Sequence, residues 1–281
     1  RVVEAQAQVP GVAGREQLSL LPDGGQAGWR EVVSLRAPVR LGAEVFLTGK
    51  LATASIGQAT GALREFRQAM DDAKVDAYRA TATSAVREAS NGTTLVERAR
   101  REAGIELEVI EGIEEARLIQ LAVVRRLNLS DKRALLVDVG GGSTELTYLD
   151  KGRSKWAVSL PIGTVRLLEM FVRKPLAIDK RRQTLLFEGV DRVLAEAIPA
   201  LKKMPFDFVV GTGGSVDTLA ELCALKGGHA GYPRAVDVGL MKTLLGKLFV
   251  MTPDQRRDTF NLRPDRADTT VEIGEKEIRF E

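Results

Sequence analysis

Two apolar runs, each ending in a glycine-rich loop, limit how this chain can fold. The first is Val137-Asp138-Val139-Gly140-Gly141-Gly142-Ser143-Thr144-Glu145, and the second is Val209-Val210-Gly211-Thr212-Gly213-Gly214-Ser215. Each apolar run reads as a buried strand. The first loop leads into another strand, Glu145-Leu146-Thr147-Tyr148-Leu149, whereas the second leads into a helix. Without a Cβ, glycine lets the backbone turn tightly, so successive N–H groups can aim at one anion. Asp138 stands two residues before the glycines, and a carboxylate is the hard oxygen ligand that Mg²⁺ prefers. The pair of loops points to a phosphate-handling site between two lobes.

Better-known phosphate loops do not fit. Thr48-Gly49-Lys50 is followed by Leu51 rather than Ser or Thr, which removes a Walker A loop. In Gly211-Thr212-Gly213 the place of a third glycine is held by Val216, and the first loop opens a strand where a dinucleotide site needs a helix. Strand, aspartate, glycine turn, strand is instead a phosphate hairpin.

The 281 residues allow two modest domains. The chain is 44% hydrophobic and 5% aromatic, as suits an aliphatic α/β core. Its net charge of +3, from 41 Lys and Arg against 38 Asp and Glu, is compatible with an anionic substrate. The densest basic cluster is Arg173, Lys174, Lys180, Arg181 and Arg182, a solvated helix face or a contact for a polyanion. One cysteine, Cys223, lies in an apolar helical stretch and reads as a core residue in a reducing cytosol. With His229 as the one histidine, zinc sites of the usual N/S type are excluded. No apolar run approaches the roughly 18 residues of a membrane span. The expected setting is cytoplasmic, with neither membrane nor nucleic acid as partner.

Residues 1 to about 30 are poorly patterned. Glu31–Leu41 alternates like a strand, Ala52–Ala73 carries one apolar helical face, and Val75–Ala80 reads as strand. Thr93–Ala103 is helical and Gly104 stops it; Leu107–Ile110 is strand and Glu114–Leu127 helix. Past a break near Asn128–Arg133 come three strands, Ala134–Val139, Thr144–Leu149 and Ser154–Leu160. Helices to about Lys203, a strand at Phe206–Val210 and a helix from Ser215 follow. The second half thus repeats the first in outline, predicting domains at 1–128 and 129–281.

Four polar segments accompany the loops. Thr83-Ser84-Ala85-Val86-Arg87-Glu88-Ala89-Ser90-Asn91 follows a strand, and its hydroxyls and arginine suit phosphate oxygens. Gly112-Ile113-Glu114-Glu115-Ala116-Arg117 puts two carboxylates at a helix start, where the helix dipole favours acids in any case. Ser159-Leu160-Pro161-Ile162-Gly163-Thr164-Val165-Arg166 is a further polar turn, and Thr212-Gly213-Gly214-Ser215 opens a helix whose N-terminus suits an anion.

Together with Pro38-Val39-Arg40-Leu41-Gly42, these segments resemble, in order from about residue 31 to Asp268, the exopolyphosphatase/guanosine pentaphosphate phosphatase family. The resemblance implies an α/β fold of two ribonuclease-H-like domains of the actin/Hsp70/sugar-kinase superfamily around a central cleft. It implies Mg²⁺-dependent hydrolysis of terminal phosphoanhydride bonds in inorganic polyphosphate or the guanosine pentaphosphate alarmone, in a homodimer. By the same resemblance Glu114 positions or deprotonates the attacking water, with Glu115 the second choice, since adjacent helical residues point about 100° apart. Asp138 holds Mg²⁺ and Glu145 assists. Gly140, Gly141, Gly142 and Ser143 cradle phosphate, Thr83, Ser84 and Arg87 hold neighbouring phosphates, and Gly213, Gly214 and Ser215 form a second clamp. Arg125, Arg126 and the basic cluster are candidates for a polyanion path.

Two departures stand out. The family's first strand carries an Asp-x-Gly-Ser-Asn-Ser loop, but here Leu18-Ser19-Leu20-Leu21 runs into Pro22-Asp23-Gly24-Gly25. After Asp268 the alternation from Thr269 to Glu281 reads as a hairpin or edge strand instead of an apolar helix. Either internal stretches are missing at Leu20/Leu21 and Asp268/Thr269, the expectation favoured here, or the chain is a divergent member with weakened or lost hydrolase activity. The alternatives are a catalytically weakened sensor that binds polyphosphate or the alarmone, and an actin-like ATPase or sugar kinase.

Overall fold

The computed structural model describes residues 3–5, 18–20, 30–33, 35–37, 39–172, 177–227, 236–262 and 264–268. Its contacts divide the chain between Glu111 and Gly112. The first unit holds β1 (Val3–Ala5), β2 (Leu18–Leu20), β3 (Arg30–Val33), α1 (Gly42–Thr48), α2 (Thr53–Asp72), β4 (Ala80–Ala82), α3 (Ser84–Glu88), α4 (Gly92–Arg98, continued by a π turn to Ala103) and β5 (Leu107–Val109). Strands β1, β2 and β3 form an antiparallel sheet, with Val3 opposite Leu20 and Leu18 opposite Val33. Strands β4 and β5 are parallel, Ala80 facing Leu107.

Helix α2 buries Ile56, Ala59, Leu63 and Met70, the positions its 3.6-residue period selects. They pack with Leu41, Val45, Leu95 and Ile105 in one aliphatic core. Asn91 clips the unit together: its Oδ1 accepts from the Leu51 amide (2.8 Å) and its Nδ2 donates to the Leu51 carbonyl (2.9 Å).

The second unit opens with α5 (Gly112–Arg126). Next come β6 (Arg133–Val139), β7 (Thr144–Asp150), β8 (Arg153–Leu160), α6 (Thr164–Leu167, continued by a π turn to Val172) and α7 (Lys180–Leu201). The remainder is β9 (Phe208–Thr212), α8 (Gly214–Gly227), α9 (Val238–Phe249), α10 (Pro253–Phe260) and α11 (Pro264–Ala267). The sheet order is β8-β7-β6-β9: an antiparallel meander with β9 added parallel to β6.

Strand alternation splits the aliphatic side chains between the two faces. Leu135, Leu146 and Leu160 pack with Leu186, Ala197 and Leu201 of α7. Ala134, Leu136 and Leu149 pack with Val123 of α5. Each fully buried leucine contributes about 1.5–3 kcal/mol relative to exposure. A further core joins α8 to α9 through Leu219, Leu222, Leu244 and Leu248, and buries Cys223 as expected of a core residue. Arg256, almost wholly buried, donates to the carbonyls of Leu248 and Ala267 (both 2.9 Å) and so fastens α9 to α11.

Several expected boundaries move. The strand read over Glu31–Leu41 is β3 alone; Val39 and Leu41 are drawn into the helical core instead. Strand Val75–Ala80 becomes Ala80–Ala82, the residues that pair with β5. Strand Phe206–Val210 slides to Phe208–Thr212, the register that sets Thr212 opposite Asp138. The expected division after Asn128 and the observed one after Glu111 differ by α5, which packs on β7 and β8. The proposed joins at Leu20/Leu21 and Asp268/Thr269, the C-terminal hairpin, Pro38, Arg173, Lys174 and His229 fall wholly or partly outside the described residues. Among the described residues no helix is long and apolar enough to cross a membrane.

Candidate active site

Register builds the centre of the site. Asp138 lies opposite Glu145 across β6 and β7, Thr212 lies opposite Asp138 on β9, and Ser159 lies opposite Glu145 on β8. Residues directly opposite share a face. Thr212, Asp138, Glu145 and Ser159 therefore form one polar row across four strands. The flanking hydroxyls each donate to one carboxylate oxygen: Thr212 Oγ1 to Asp138 Oδ1 at 2.5 Å and Ser159 Oγ to Glu145 Oε1 at 2.6 Å.

The row lies on the face that α5 covers, and α5 supplies a third carboxylate. Glu115, Asp138 and Glu145 are all buried, and each brings one carboxylate oxygen within 4.8 Å of the others. Burial pushes the Asp138 carboxyl up from its ordinary range; the Thr212 hydrogen bond opposes this in part, and the charge of Asp217 adds to the rise. Three carboxylates so close and so far from water repel one another. A small hard cation with oxygen ligands fits this donor set, and Mg²⁺ is such a cation.

The first glycine loop joins β6 to β7 at the end of the row. The amides of Thr164 and Val165 donate to the carbonyls of Gly140 (3.0 Å) and Gly141 (2.8 Å). Arg166 donates its amide to the Gly141 carbonyl (3.0 Å) and its Nε to the Gly142 carbonyl (2.7 Å). The α6 turn comes so close that a Cβ on Gly163 would lie 2.5 Å from the Gly141 carbonyl carbon and the Gly142 nitrogen, so only glycine fits there. The second loop meets the first as well. Gly213, with a φ of 95°, presses against the Val139 carbonyl, Gly214 starts α8, and Ser215 is buried 3.4 Å from Arg266 Nη1.

The expected site residues fall into two groups. Asp138, Glu145, Gly140, Gly141, Gly142, Ser143, Gly213, Gly214 and Ser215 gather around the β6, β7 and β9 ends. Thr83, Ser84 and Arg87 belong to the first unit, where β4 runs into α3; there Arg87 Nη1 donates to the Ile110 carbonyl (2.7 Å). Glu114, partly exposed, pairs with Arg117 through both carboxylate oxygens (2.6 and 2.8 Å). Its neighbour Glu115 is the one that meets Asp138 and Glu145. A signal for this was present: Gly112, Glu115, Ala116 and Val123 share the buried stripe of α5, and an acid on such a stripe needs a partner. The roles of Ser159 and Thr212 had no such signal, because only strand register sets them beside the carboxylates. Arg125, Arg126, Lys180 and Arg181 are exposed.

The Ppx/GppA phosphatase family matches residues 24–273. An exopolyphosphatase 1 of Mycobacterium leprae is 31% identical over 244 residues, covering 85% of this chain and 71% of that one. A guanosine-5'-triphosphate,3'-diphosphate pyrophosphatase of Vibrio vulnificus is 29% identical over 196 residues, covering 70% of this chain and 39% of its own. The crystal structure of an exopolyphosphatase from Cytophaga hutchinsonii superposes with a TM-score of 0.83 at 25% identity, covering 96% of this chain and 86% of that one. The Ppx/GppA family member from Aquifex aeolicus gives 0.72 at 27% identity, covering 96% and 87%.

Proposed function

Because the chain belongs to the Ppx/GppA phosphatase family, we propose that it hydrolyses terminal phosphoanhydride bonds of inorganic polyphosphate or of guanosine pentaphosphate with the help of Mg²⁺. One observation carries the reading. A buried set of carboxylates, Glu115, Asp138 and Glu145, sits at the end of a glycine hairpin whose carbonyls are engaged by the α6 turn. Phosphoryl transfer asks a protein for in-line positioning and charge neutralisation more than for covalent chemistry. These two features supply both.

The work divides as follows. Glu115, Asp138 and Glu145 would hold Mg²⁺, which would neutralise charge on the phosphate oxygens. Thr212 and Ser159 fix Asp138 and Glu145 by hydrogen bonds. The amides of Gly141, Gly142 and Ser143 receive the phosphate under attack, that of Gly140 being spent on the Ser143 carbonyl (3.0 Å), and Gly213, Gly214 and Ser215 receive the one beside it. Thr83, Ser84 and Arg87 of the first unit are assigned to phosphate binding. Glu114, held by Arg117 one residue before the cation set, orients or deprotonates the water.

Orthophosphate release from polyphosphate and from guanosine pentaphosphate, measured over a range of Mg²⁺, tests the reading. Release is expected with at least one substrate and is abolished by EDTA. A folded protein that releases none from either removes hydrolysis from the proposal. Glu114→Gln and Glu115→Gln separate the two glutamates: Glu115→Gln weakens Mg²⁺ binding in calorimetry, whereas Glu114→Gln lowers kcat and leaves Mg²⁺ affinity near native.

A further inference from the structure

All three glycine carbonyls of the first loop are engaged from one side, the α6 turn. Gly140 accepts from Thr164, Gly141 from Val165 and Arg166, and Gly142 from the Arg166 side chain. In a trans peptide the C=O of one residue and the N–H of the next point in opposite directions. Tethering the carbonyls of Gly140, Gly141 and Gly142 toward α6 therefore aims the amides of Gly141, Gly142 and Ser143 the other way. None of these three amides donates to an acceptor among the described residues. Three of these four hydrogen bonds are main chain to main chain and come with the fold. The fourth comes from a side chain, and it is the one on the Gly142–Ser143 peptide.

We propose that Arg166 is a positioning residue for the reaction: from behind the loop it fixes the Gly142 carbonyl and so aims the loop amides at a phosphate oxygen. This rests on the phosphoanhydride-hydrolase reading of the site. An arginine near a phosphate loop ordinarily suggests a direct ion pair. Here its Nε lies 2.7 Å from a carbonyl oxygen on the opposite side of the peptide from the amides. Arg166 is half-buried, and its backbone amide is engaged by the same loop, so the side chain has a fixed base from which to act.

The test uses Arg166→Gln and Arg166→Lys in the full chain. Amide hydrogen exchange over Gly141 to Ser143 is read without substrate; kcat and KM on inorganic polyphosphate are read at low and high ionic strength. Arg166→Gln is expected to exchange faster in this loop and to lose about tenfold in kcat, a fraction of what losing a whole transition-state donor costs. Its KM keeps the native dependence on salt, because no ion pair to substrate has been removed, and Arg166→Lys recovers part of kcat. Native exchange and native kcat in Arg166→Gln overturn the proposal. So does a raised KM with its salt dependence lost and kcat held, which marks a direct phosphate ligand. If Arg166→Gln does not fold, Arg166→Lys decides: it keeps the charge and displaces the donor, and native loop exchange in it overturns the proposal. If the native protein releases no phosphate, the hydrolase reading fails separately. Loop exchange together with calorimetric binding of tripolyphosphate then decides the role of Arg166.

Discussion

The face of the sheet under α5 has two ends of opposite character. At one end Ala134, Leu136 and Leu149 pack against Val123 and are wholly aliphatic. At the other, Asp138 and Glu145 stand on the same strands and Glu115 on the same helix, all buried. The first end removes apolar surface from water and holds the unit together. The second removes three carboxylates from water and weakens the unit unless a cation joins them. One pair of strands and one helix thus serve both stability and chemistry, and the roles separate along their length.

The largest effect that tests this contrast is at the acidic end. Asp138→Asn is expected to lower kcat by about 10³-fold or more, the scale of losing a principal electrostatic contact. Its thermal midpoint without Mg²⁺ should stay level or rise, since one of three crowded charges is gone. Phosphate release and calorimetric unfolding on the same preparation check both. A variant that loses its stability along with its activity would break the comparison.

At the aliphatic end the outcome inverts. Leu136→Ala is expected to cost about 2–5 kcal/mol in denaturant unfolding, with kcat per folded molecule near native. A loss of kcat in molecules shown to be folded would mean that the two ends are not separable.

The cation sharpens the contrast further. Mg²⁺ at a hundred times its dissociation constant should stabilise the native chain by about 2.7 kcal/mol through mass action. Glu115→Gln should lose most of that increment, and Glu114→Gln should keep it. Equal increments in the two variants would place the cation elsewhere.

Much of this arrangement was legible in the residues. Alternation and glycines located β6, β7, β8 and the loop between β6 and β7 to within a residue or two, because hairpin turns announce themselves locally. Asp138 and Glu145 were legible for the same reason, since a short hairpin makes them partners. Glu115 was ranked second because two adjacent acids at a helix start look alike until the buried stripe is traced. Thr212 was read as part of a glycine loop, and its contact with Asp138 depends on a parallel pairing across 74 residues. Arg166 was read only as the end of a polar turn, and its contact with the Gly142 carbonyl depends on how that turn packs against the glycine loop. Local geometry is written in neighbouring residues; register across a sheet is not.

The smallest expected effect is in the pH dependence of stability, and it comes from the acidic end alone. Burial raises the Asp138 carboxyl above its ordinary value of 3.8, the Thr212 hydrogen bond opposes the rise, and Asp217 reinforces it. The folded protein without Mg²⁺ therefore keeps a proton on Asp138 at pH values where the unfolded chain has already lost it. Where the folded state binds more protons, stability falls as pH rises. The contribution is fully present below about 3.8 and is lost as pH climbs through the raised folded value. Unfolding midpoints in EDTA across the acidic range should show this decline, and Asp138→Asn should flatten that part of it. Thr212→Val should steepen it, because the hydroxyl that favours the ionised form is gone. Superimposable profiles for the native protein and Asp138→Asn would show that the buried aspartate is not the group that sets the slope.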